Sequence, residues 1–324
     1  MMQYGTIEGV NKPVSRIFFG TAFPLALMGG DGSELFTAAL DAGINAFDTA
    51  RSYGNAERSL GNWLETSGRR DEVVLLSKCG HPDALGKKRI NEREMRADLQ
   101  KSLSELHTDY IDVYLLHRDD PETEVGTVVE AFNAMHAEGK IGAFGGSNWT
   151  HTRIETANEY AYRHNLIPFT ASSPNFGLAE QINDPWGGGC VTVSGPENEA
   201  ARAWYRRTQM PLIAYSSLGR GLFSGKLKSE NADRAEEVLD RFARKGYACP
   251  ENFERLRRAE ILANKHGCTV PQIAMAWLFR NNMNVFAVAT MSKPERIAVN
   301  AAALTLALTA EEAIYLNLER EDPV

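Results

Sequence analysis

The chain has 324 residues, which is too long for a minimal domain and suits one large α/β barrel with insertions. Its composition, 43% hydrophobic and 24% charged, is typical of a globular protein and excludes a disordered chain. A net charge of −7 without any basic block argues against a nucleic-acid partner, and the longest apolar run, Ile273–Phe279, is too short to span a membrane.

In chain order, eight short apolar runs predict β-strands. Most positions in each run are apolar on both alternations, which is typical of strands buried on both faces of a parallel sheet. The predicted strands are Ser15–Phe19, Ile44–Phe47, Val73–Ser77, Ile111–Leu116, Ile141–Phe144, Pro168–Ala171, Pro211–Ala214 and Val285–Val288.

Longer amphipathic stretches between these runs predict helices. Asn91, with Glu94 three residues later, is expected to cap one helix, and Gly139 is expected to end another. The predicted helices are Glu34–Ala42, Ala56–Glu65, Arg93–Leu106, Val128–Glu138, Thr150–His164, Thr269–Arg280 and Pro294–Ala302.

Eight strands with intervening helices favour a closed (β/α)8 TIM barrel over an open doubly wound sheet, which would carry a GxGxxG motif that this chain lacks. The residues before Val14 are expected to form a hairpin below the barrel, and Thr309–Leu318 an extra C-terminal helix. Two long segments, Phe176–Glu199 and Ser216–Asn252, should lie at the C-terminal face of the barrel. With no linker or repeat, residues 1–324 are predicted to form one domain.

Four scattered cysteines, Cys79, Cys190, Cys249 and Cys268, show neither a CxxC motif nor metal-ligand spacing. No metal site is predicted. Two disulfides are conceivable, but reduced thiols are favoured in a large chain whose first residues lack the apolar core of a signal peptide. The predicted location is cytoplasmic.

Four polar residues, Asp48, Tyr53, Lys78 and His117, lie at or just beyond the ends of predicted strands two, three and four. These strand ends are neighbours in a barrel, so the side chains are expected to converge. Together they suit carbonyl reduction: a phenol donates a proton, an ammonium lowers the phenol pKa, a carboxylate holds the ammonium, and an imidazole orients the carbonyl. Each residue alone also suits a structural role, as a turn carboxylate, a rim aromatic, a solvated lysine or a structural histidine.

The chain resembles the aldo-keto reductases from about residue 15 to residue 302. The resemblance is carried by FDTARSYGNAERSLG (Phe47–Gly61), DYIDVYLLH (Asp109–His117), GKIGAFGGSN (Gly139–Asn148) and AYSSLGRGLFSGK (Ala214–Lys226). It implies that the four residues named above form a catalytic tetrad, with Tyr53 as proton donor and acceptor.

The resemblance also implies an extended nicotinamide cofactor, NADPH/NADP+ in preference to NADH. Ser147 and Asn148 would hydrogen-bond the carboxamide, Tyr215 would stack on the nicotinamide ring, and Arg296 would bind the 2′-phosphate. The complete set of expected cofactor residues is Gly20, Thr21, Ala22, Asp48, Ser147, Asn148, Ser173, Tyr215, Ser216, Leu218, Gly221, Lys226, Ser292, Lys293, Arg296 and Asn300.

Three positions depart from the family's usual pattern. Ser173 stands where many relatives have Gln, Ala289–Thr290 where relatives often have Pro-Gly, and Val299 where relatives often have Glu. The last two affect the adenosine end of the expected cofactor site and leave the tetrad unchanged.

Phe23, Trp149 and the loop His117–Glu124, with Tyr53, are expected to line the substrate pocket. Asp119 and Asp120 suggest a polar carbonyl substrate such as a sugar or polyol aldehyde, although a solvated turn explains them equally. Trp186 would cover the site or pack on the barrel rim.

The expected function is NADP(H)-dependent reduction of an aldehyde or ketone. Two alternatives remain open at this stage: a cofactor-sensing regulatory module of the same fold, and an NAD(P)+-dependent sugar dehydrogenase working in the oxidative direction. The sequence leaves the oligomeric state open.

Overall fold

A computed structural model describes residues 2–322; Met1, Pro323 and Val324, which the single-domain prediction includes, lie outside the described residues. Eight parallel strands close into a barrel in the order β10-β3-β4-β5-β6-β7-β8-β9. The strands are β3 (Ile17–Gly20), β4 (Ala46–Asp48), β5 (Val74–Cys79), β6 (Ile111–Leu116), β7 (Ile141–Ser147), β8 (Ala171–Ser173), β9 (Leu212–Ala214) and β10 (Val285–Ala289). The predicted (β/α)8 barrel is confirmed.

Helices surround the barrel, and all seven predicted ones are present with small shifts of their ends. Asn91 caps α4 as expected, its side chain accepting from the Glu94 N–H at 3.0 Å. No helix among residues 2–322 is both long and apolar enough to cross a membrane. The helices are α1 (Pro24–Leu27), α2 (Ser33–Asp41), α3 (Ala56–Ser67), α4 (Glu92–Glu105), α5 (Val125–Ala137), α6 (His151–Arg163), α7 (Glu199–Thr208), α8 (Ala235–Val238), α9 (Arg241–Tyr247), α10 (Pro250–His266), α11 (Val270–Phe279), α12 (Pro294–Ala301) and α13 (Ala310–Leu316).

The N-terminal hairpin closes the floor of the barrel. Its strands, β1 (Tyr4–Gly5) and β2 (Val14–Ser15), pair antiparallel, and Ile7 and Val14 pack with the side chains inside the barrel. Gly9 passes close beneath β7 at φ +91°, where a Cβ atom would lie 3.0 Å from the Ala143 backbone nitrogen. A side chain at this position would therefore clash and strain the backbone. The predicted hairpin and C-terminal helix, α13, are both present.

Two apolar layers hold the molecule together. Inside the barrel, every second strand residue points inward, and these residues form a packed plug: Phe18, Ala46, Val74, Leu76, Val113, Leu115, Ala143, Ala171, Ile213 and Phe286. Outside, the other strand faces pack against the helices in a larger cluster. The plug fills the lower part of the barrel and leaves only its upper end for polar side chains.

Several strands continue further towards this upper end than the sequence predicts. β4 ends at Asp48, β5 at Cys79, β7 at Ser147 and β8 at Ser173, each beyond the last apolar residue of the predicted run. Apolar runs mark the buried part of a strand, but backbone pairing continues through the polar residues that follow, as in the pairing of Ser147 with Ser173. The predicted Pro168–Ala171 strand was wrong in its bounds for this reason.

Five helices were not predicted from the sequence, α1, α7, α8, α9 and α10, of which α10 is the longest. The apolar stripe of α10 is interrupted because its buried face includes Asn252, Arg255 and Arg258. Arg258 is nevertheless well paired, since it donates to the carbonyl oxygen of Tyr315 at 2.8 Å and so ties α10 to α13. A buried polar face of this kind has no signal in hydrophobic periodicity.

Phe36 is the test position for the outer layer, because its fully buried ring lies 5.6 to 6.0 Å from the rings of Phe19, Phe23, Phe47 and Trp63. We expect Phe36→Ala to lower the free energy of unfolding by about 3–5 kcal/mol, since it opens a cavity within this aromatic cluster. Urea unfolding followed by far-UV circular dichroism measures the change. Tyr162→Ala, at an exposed position, should alter it by less than about 0.5 kcal/mol; equal effects of the two changes would contradict the packing described.

Candidate active site

Alternation along the strands places three of the predicted tetrad residues above the apolar plug. Asp48 and Lys78 lie two positions after Ala46 and Leu76, which point inward, and His117 lies two positions after an inward-pointing residue of β6. Asp48 and Lys78 are strand residues themselves rather than followers of the strands, as the sequence suggested. Because β4, β5 and β6 are neighbours, their upper ends bring these side chains together.

Lys78 and Asp48 form a buried ion pair. The Nζ of Lys78 donates to Oδ1 of Asp48 at 2.5 Å and to the carbonyl oxygen of Thr49 at 2.9 Å. Burial raises the pKa of Asp48, and the charge of Lys78 offsets part of that rise. Burial opposes the charge on Lys78, but Asp48 and Tyr53 together raise its pKa above the ordinary value. The ammonium is therefore held protonated next to Tyr53.

Tyr53 lies over this ion pair, on the segment between β4 and α3. The Nζ of Lys78 is 5.1 Å from the centre of the Tyr53 ring, and the residue is partly exposed although its ionisable end is buried. Burial raises the pKa of Tyr53, and the opposing charge of Lys78 does not cancel the rise. Lys78 does lower the pKa of Tyr53, as expected, but the net pKa is raised because the cost of burying a phenolate is larger.

His117 completes the group, its ring centre 5.6 Å from that of Tyr53. Its Nδ1 lies 3.1 Å from Oγ of Ser52, and its ring makes an edge contact with His81 at 5.0 Å. Burial, followed by the positive charges of Lys78, His81 and Arg118, lowers the pKa of His117 well below 6.5. A neutral ring can accept or donate a hydrogen bond at the mouth of the barrel without adding charge.

The residues expected at the nicotinamide end form one hydrogen-bonded group. Ser147 donates through Oγ to the carbonyl oxygen of Ser173 at 2.9 Å. Asn148 donates to the carbonyl oxygen of His117 at 3.1 Å and accepts from the Tyr215 hydroxyl at 2.7 Å. Ser173 directs its own hydroxyl to the carbonyl oxygen of Ile213 at 2.8 Å. These groups therefore already have protein partners, and the short Ser173 side chain is turned into the barrel wall.

Two loops meet over Tyr215. Trp186, in the segment after β8, contacts Tyr215 edge-on at 6.0 Å and lies parallel to Phe242 at 6.4 Å. Arg220, in the segment after β9, lies over both rings, at 5.3 Å from Trp186 and 5.1 Å from Phe242, and pairs with Asp240. Trp186 thus both packs on the rim and covers part of the site.

A cavity of about 660 Å³ lies beside the start of α12, where the adenosine end of a cofactor was expected. Of the expected residues, Leu218, Arg296 and Asn300 line it, and so do the departures Thr290 and Val299. Lys226, Ser292 and Lys293 are exposed and do not line it. Lys228, which the sequence analysis missed, is on the wall, together with the carboxylates Glu230, Glu260 and Glu295.

The residues between the tetrad and this cavity fit an extended dinucleotide. Thr21 and Thr49, at the upper ends of β3 and β4, bury hydroxyl groups that have no hydrogen-bond partner. Gly221 has φ +103°, and a Cβ atom built there would meet no heavy atom within 4 Å. Ser216 also has a positive φ, of +53°. Open space beside an exposed backbone, with unpaired hydroxyls at the other end, is suited to phosphate and amide groups.

Other expected site residues have different surroundings. Phe23 and Trp149 are buried in the outer apolar layer, with Trp149 packed on Phe169 at 5.2 Å, so neither presents an open pocket surface. Asp119 pairs with Arg153 at 3.2 Å, and Asp120 accepts from the Thr123 hydroxyl at 3.0 Å. These carboxylates hold their own loop together, which leaves no basis for assigning them to sugar hydroxyls.

Three residues near the tetrad were not predicted as site residues: Ser52, His81 and Cys190. Arg118 belongs to the loop His117–Glu124, which was expected to line the substrate pocket. Ser52 is next to Tyr53 in sequence, so proximity alone was an available signal. Cys190 is 72 positions from Arg118, yet its Sγ accepts from the Arg118 guanidinium at 2.8 Å, a contact that no local pattern predicts. Among residues 2–322, no group of three or more His, Cys, Asp or Glu side chains is placed to hold a metal ion.

Comparison with known proteins gives a consistent result. The family model described as "Aldo/keto reductase family" matches residues 31–317. An aryl-alcohol dehydrogenase, GME11368, of Pestalotiopsis microspora is 28% identical over 291 residues, which are 86% of this chain and 70% of that protein. The aldo-keto reductase YhdN of Bacillus subtilis (strain 168) is 26% identical, over 86% of this chain and 81% of its own. The aldo-keto reductase str7 of Strobilurus tenacellus is 25% identical, over 86% and 78%.

The low pKa of His117 predicts a pH effect on stability. As the pH falls through about 6.5, the ordinary pKa of histidine, His117 becomes protonated in the unfolded chain but stays neutral in the folded one. The free energy of unfolding therefore decreases. Relative to His117→Gln, wild type should lose on the order of 1 kcal/mol of unfolding free energy between about pH 7.5 and 5.5. Urea unfolding at both pH values measures it. His164→Gln, at an exposed position, should follow wild type; if His117→Gln does so too, His117 is not held neutral.

Proposed function

Because the chain belongs to the aldo/keto reductase family, an oxidoreductase family that uses nicotinamide cofactors and small carbonyl substrates, we propose that it reduces an aldehyde or ketone with NADPH. Tyr53 is the general acid in this proposal. The observation that carries it is the buried Lys78–Asp48 pair directly beneath the Tyr53 ring, with a neutral His117 on the other side.

The bound dinucleotide supplies the hydride that reduces the carbonyl carbon. Tyr215 presents its ring to the nicotinamide from the wall opposite the tetrad. The partly buried segment from Ser216 to Gly221 and the cavity lined by Leu218 and Asn300 would hold the rest of the molecule. Ser147 and Asn148 already form hydrogen bonds within the protein. To bind the carboxamide, they would use their remaining lone pairs or exchange a present partner for it.

The proton comes from Tyr53. Its raised pKa keeps the phenol protonated at neutral pH, which is the form that a reduction needs. As negative charge develops on the carbonyl oxygen, the phenol gives up its proton to that oxygen, and Lys78 stabilises the phenolate left behind. Asp48 holds Lys78 in place and charged. The neutral His117 donates a hydrogen bond to the same carbonyl oxygen, which fixes the carbonyl carbon relative to the hydride donor.

The preference for NADPH rests on Arg296. Its side chain lines the adenosine cavity, and Lys228 adds a second cation on the same wall. The carboxylates of Glu260 and Glu295 also line this cavity and would repel a phosphate placed beside them. A 2′-phosphate is therefore expected to lie against Arg296, where the guanidinium can form charge-assisted hydrogen bonds to it.

Oxidation of an alcohol is the second candidate function. The same residues catalyse the reverse reaction, and one relative is an aryl-alcohol dehydrogenase by name. A purely regulatory, cofactor-sensing role has less support, because all four tetrad side chains are present and close together. The four cysteines are free thiols, which supports the proposed cytoplasmic location.

The general-acid role predicts the effect of Tyr53→Phe, which removes one hydroxyl and keeps the ring. Reduction of a reactive benzaldehyde should fall by at least about a hundredfold, given the usual size of general-acid catalysis, while NADPH affinity stays within about twofold. Loss of absorbance at the NADPH band measures turnover. Tyr162→Phe is the matched control on the surface. Turnover of the Tyr53→Phe protein near the wild-type rate would exclude Tyr53 as the acid.

The cofactor preference predicts the effect of Arg296→Ala. Charge-assisted hydrogen bonds to the 2′-phosphate are each worth about 1.5–3 kcal/mol, so NADPH affinity should fall roughly ten- to a hundredfold. NADH, which lacks that phosphate, should bind almost unchanged. Titration by tryptophan fluorescence quenching measures both, with Arg93→Ala, at an exposed side chain, as the control. If the affinities for NADPH and NADH fall equally, Arg296 does not bind the 2′-phosphate. If the wild-type protein binds NADH more tightly than NADPH, the NADP(H) assignment is wrong.

A further inference from the structure

Arg118 is a cation at the mouth of the barrel that has no anionic partner. It directly follows His117, is partly buried, and forms no ion pair among residues 2–322. Its hydrogen bond goes to Cys190 Sγ at 2.8 Å. A thiol is a weak acceptor, so it compensates little of the cost of removing a guanidinium from water.

Two groups near Arg118, Asp184 and Cys190, could act as counter-ions, but neither forms an ion pair with it. Asp184 uses Oδ1 to accept from the Trp186 N–H at 2.7 Å and Oδ2 to accept from the Cys190 N–H at 2.8 Å, which fixes the turn between them. Burial raises the pKa of Cys190 despite the nearby charge of Arg118, so the thiol stays protonated and neutral. The guanidinium thus has a thiol as its hydrogen-bond partner; the charge of Asp184 also acts on it, but no carboxylate among residues 2–322 forms an ion pair with it.

The position of Arg118 joins it to the proposed reaction centre. It directly follows His117, whose ring centre lies 5.6 Å from that of Tyr53. Its partner Cys190 precedes Val191, whose N–H donates to Oδ1 of Asn148 at 3.2 Å, and the same oxygen accepts from the Tyr215 hydroxyl at 2.7 Å. These side chains surround the place where the carbonyl group of a substrate would be held. An anionic group bound to Arg118 would therefore belong to the same small molecule as that carbonyl.

The loop that carries Arg118 is fixed before any ligand arrives. Arg153, on α6, pairs with Asp119 at 3.2 Å and donates to the carbonyl oxygen of Asp120 at 3.1 Å. Arg153 also lies 5.0 Å from the ring of Trp149. A loop anchored in this way loses little conformational freedom on binding, which favours affinity for a ligand that fits.

We propose that Arg118 binds a carboxylate or phosphate group of the substrate, so that the enzyme reduces anionic carbonyl compounds in preference to neutral ones. The inference rests on the proposed reductase function and narrows its substrate class. It replaces the polyol aldehyde suggested by the acidic loop, because Asp119 is paired with Arg153 and Asp120 accepts from the Thr123 hydroxyl, whereas Arg118 forms no ion pair among residues 2–322.

The experiment compares matched substrates in matched variants. 4-Carboxybenzaldehyde and methyl 4-formylbenzoate share the ring and the aldehyde and differ in charge; glyceraldehyde 3-phosphate and glyceraldehyde form a phosphate pair. The variants are Arg118→Met, which keeps length without charge, and Arg118→Lys, which keeps charge. Arg163→Met, at an exposed position on α6, is the control. The measured quantity is kcat/KM for the anionic substrate divided by kcat/KM for its neutral partner.

We expect a ratio above one for at least one pair in wild type and in Arg163→Met. Arg118→Met should reduce it ten- to a hundredfold, mainly through KM of the anionic substrate, and Arg118→Lys should restore part of it. The pair that shows the preference distinguishes a carboxylate from a phosphate. A ratio unchanged in Arg118→Met, an equal loss for charged and neutral substrates, or a loss of NADPH affinity with the ratio intact would each overturn the proposal.

A binding measurement separates this inference from the proposed function. Calorimetric titration of benzoate, inorganic phosphate and neutral benzamide into the protein with NADP+ requires no turnover. Binding of an anion that is at least tenfold weaker in Arg118→Met supports the anion site even if no carbonyl is reduced, in which case the reductase proposal alone fails. Anion binding that is equal in wild type and Arg118→Met overturns the site even if neutral aldehydes are reduced well.

Discussion

The strict alternation of side chains along eight short parallel strands is the constraint on which the rest of this molecule depends. It sends Ala46, Leu76 and Leu115 into the barrel to form the plug, and two residues further on it sends Asp48, Lys78 and His117 to the same side. A shift of one residue in any of these strands would bury a charge among helices and expose an apolar side chain inside. The apolar plug and the polar site are therefore specified together.

Burial sets the protonation states of the polar side chains above the plug. In water, a phenol, an imidazole, a carboxylate and an ammonium would titrate near their ordinary values; here burial raises the pKa of Tyr53 and lowers that of His117. Lys78 keeps its charge only because Asp48 lies 2.5 Å away. The result is one buried ion pair flanked by two neutral proton-bearing groups, an arrangement that is costly to fold and is supported by the apolar layers around it.

Much of this was predictable from the sequence. Eight doubly apolar runs predicted the barrel, and polar residues at the ends of three neighbouring runs predicted the group around Lys78. The orientation of Phe23 and Trp149 was not predictable, because a residue in a loop just after a strand has no fixed facing, and both are packed into the outer layer.

Contacts between distant loops could not be predicted from the sequence either. The pairing of Asp119 with Arg153 uses a carboxylate that was expected to bind substrate, and the contact of Arg118 with Cys190 spans 72 residues. The buried Arg255 and Arg258 concealed α10 for a related reason, since each has a partner outside the helix, Glu180 for Arg255 and Tyr315 for Arg258. Local patterns predict which way a strand faces, whereas the charge balance of a site depends on neighbours that only folding brings together.

The N-terminal hairpin covers the lower end of the barrel, with Ile7 and Val14 packed against the plug, so the polar site opens at the upper end. The apolar side chains at the lower end lie between the hairpin and the polar residues above the plug. In the proposed reaction, the proton that Tyr53 gives up would be replaced through the same opening that admits the next substrate and releases the product. A molecule bound at this opening would therefore slow both proton exchange and substrate entry.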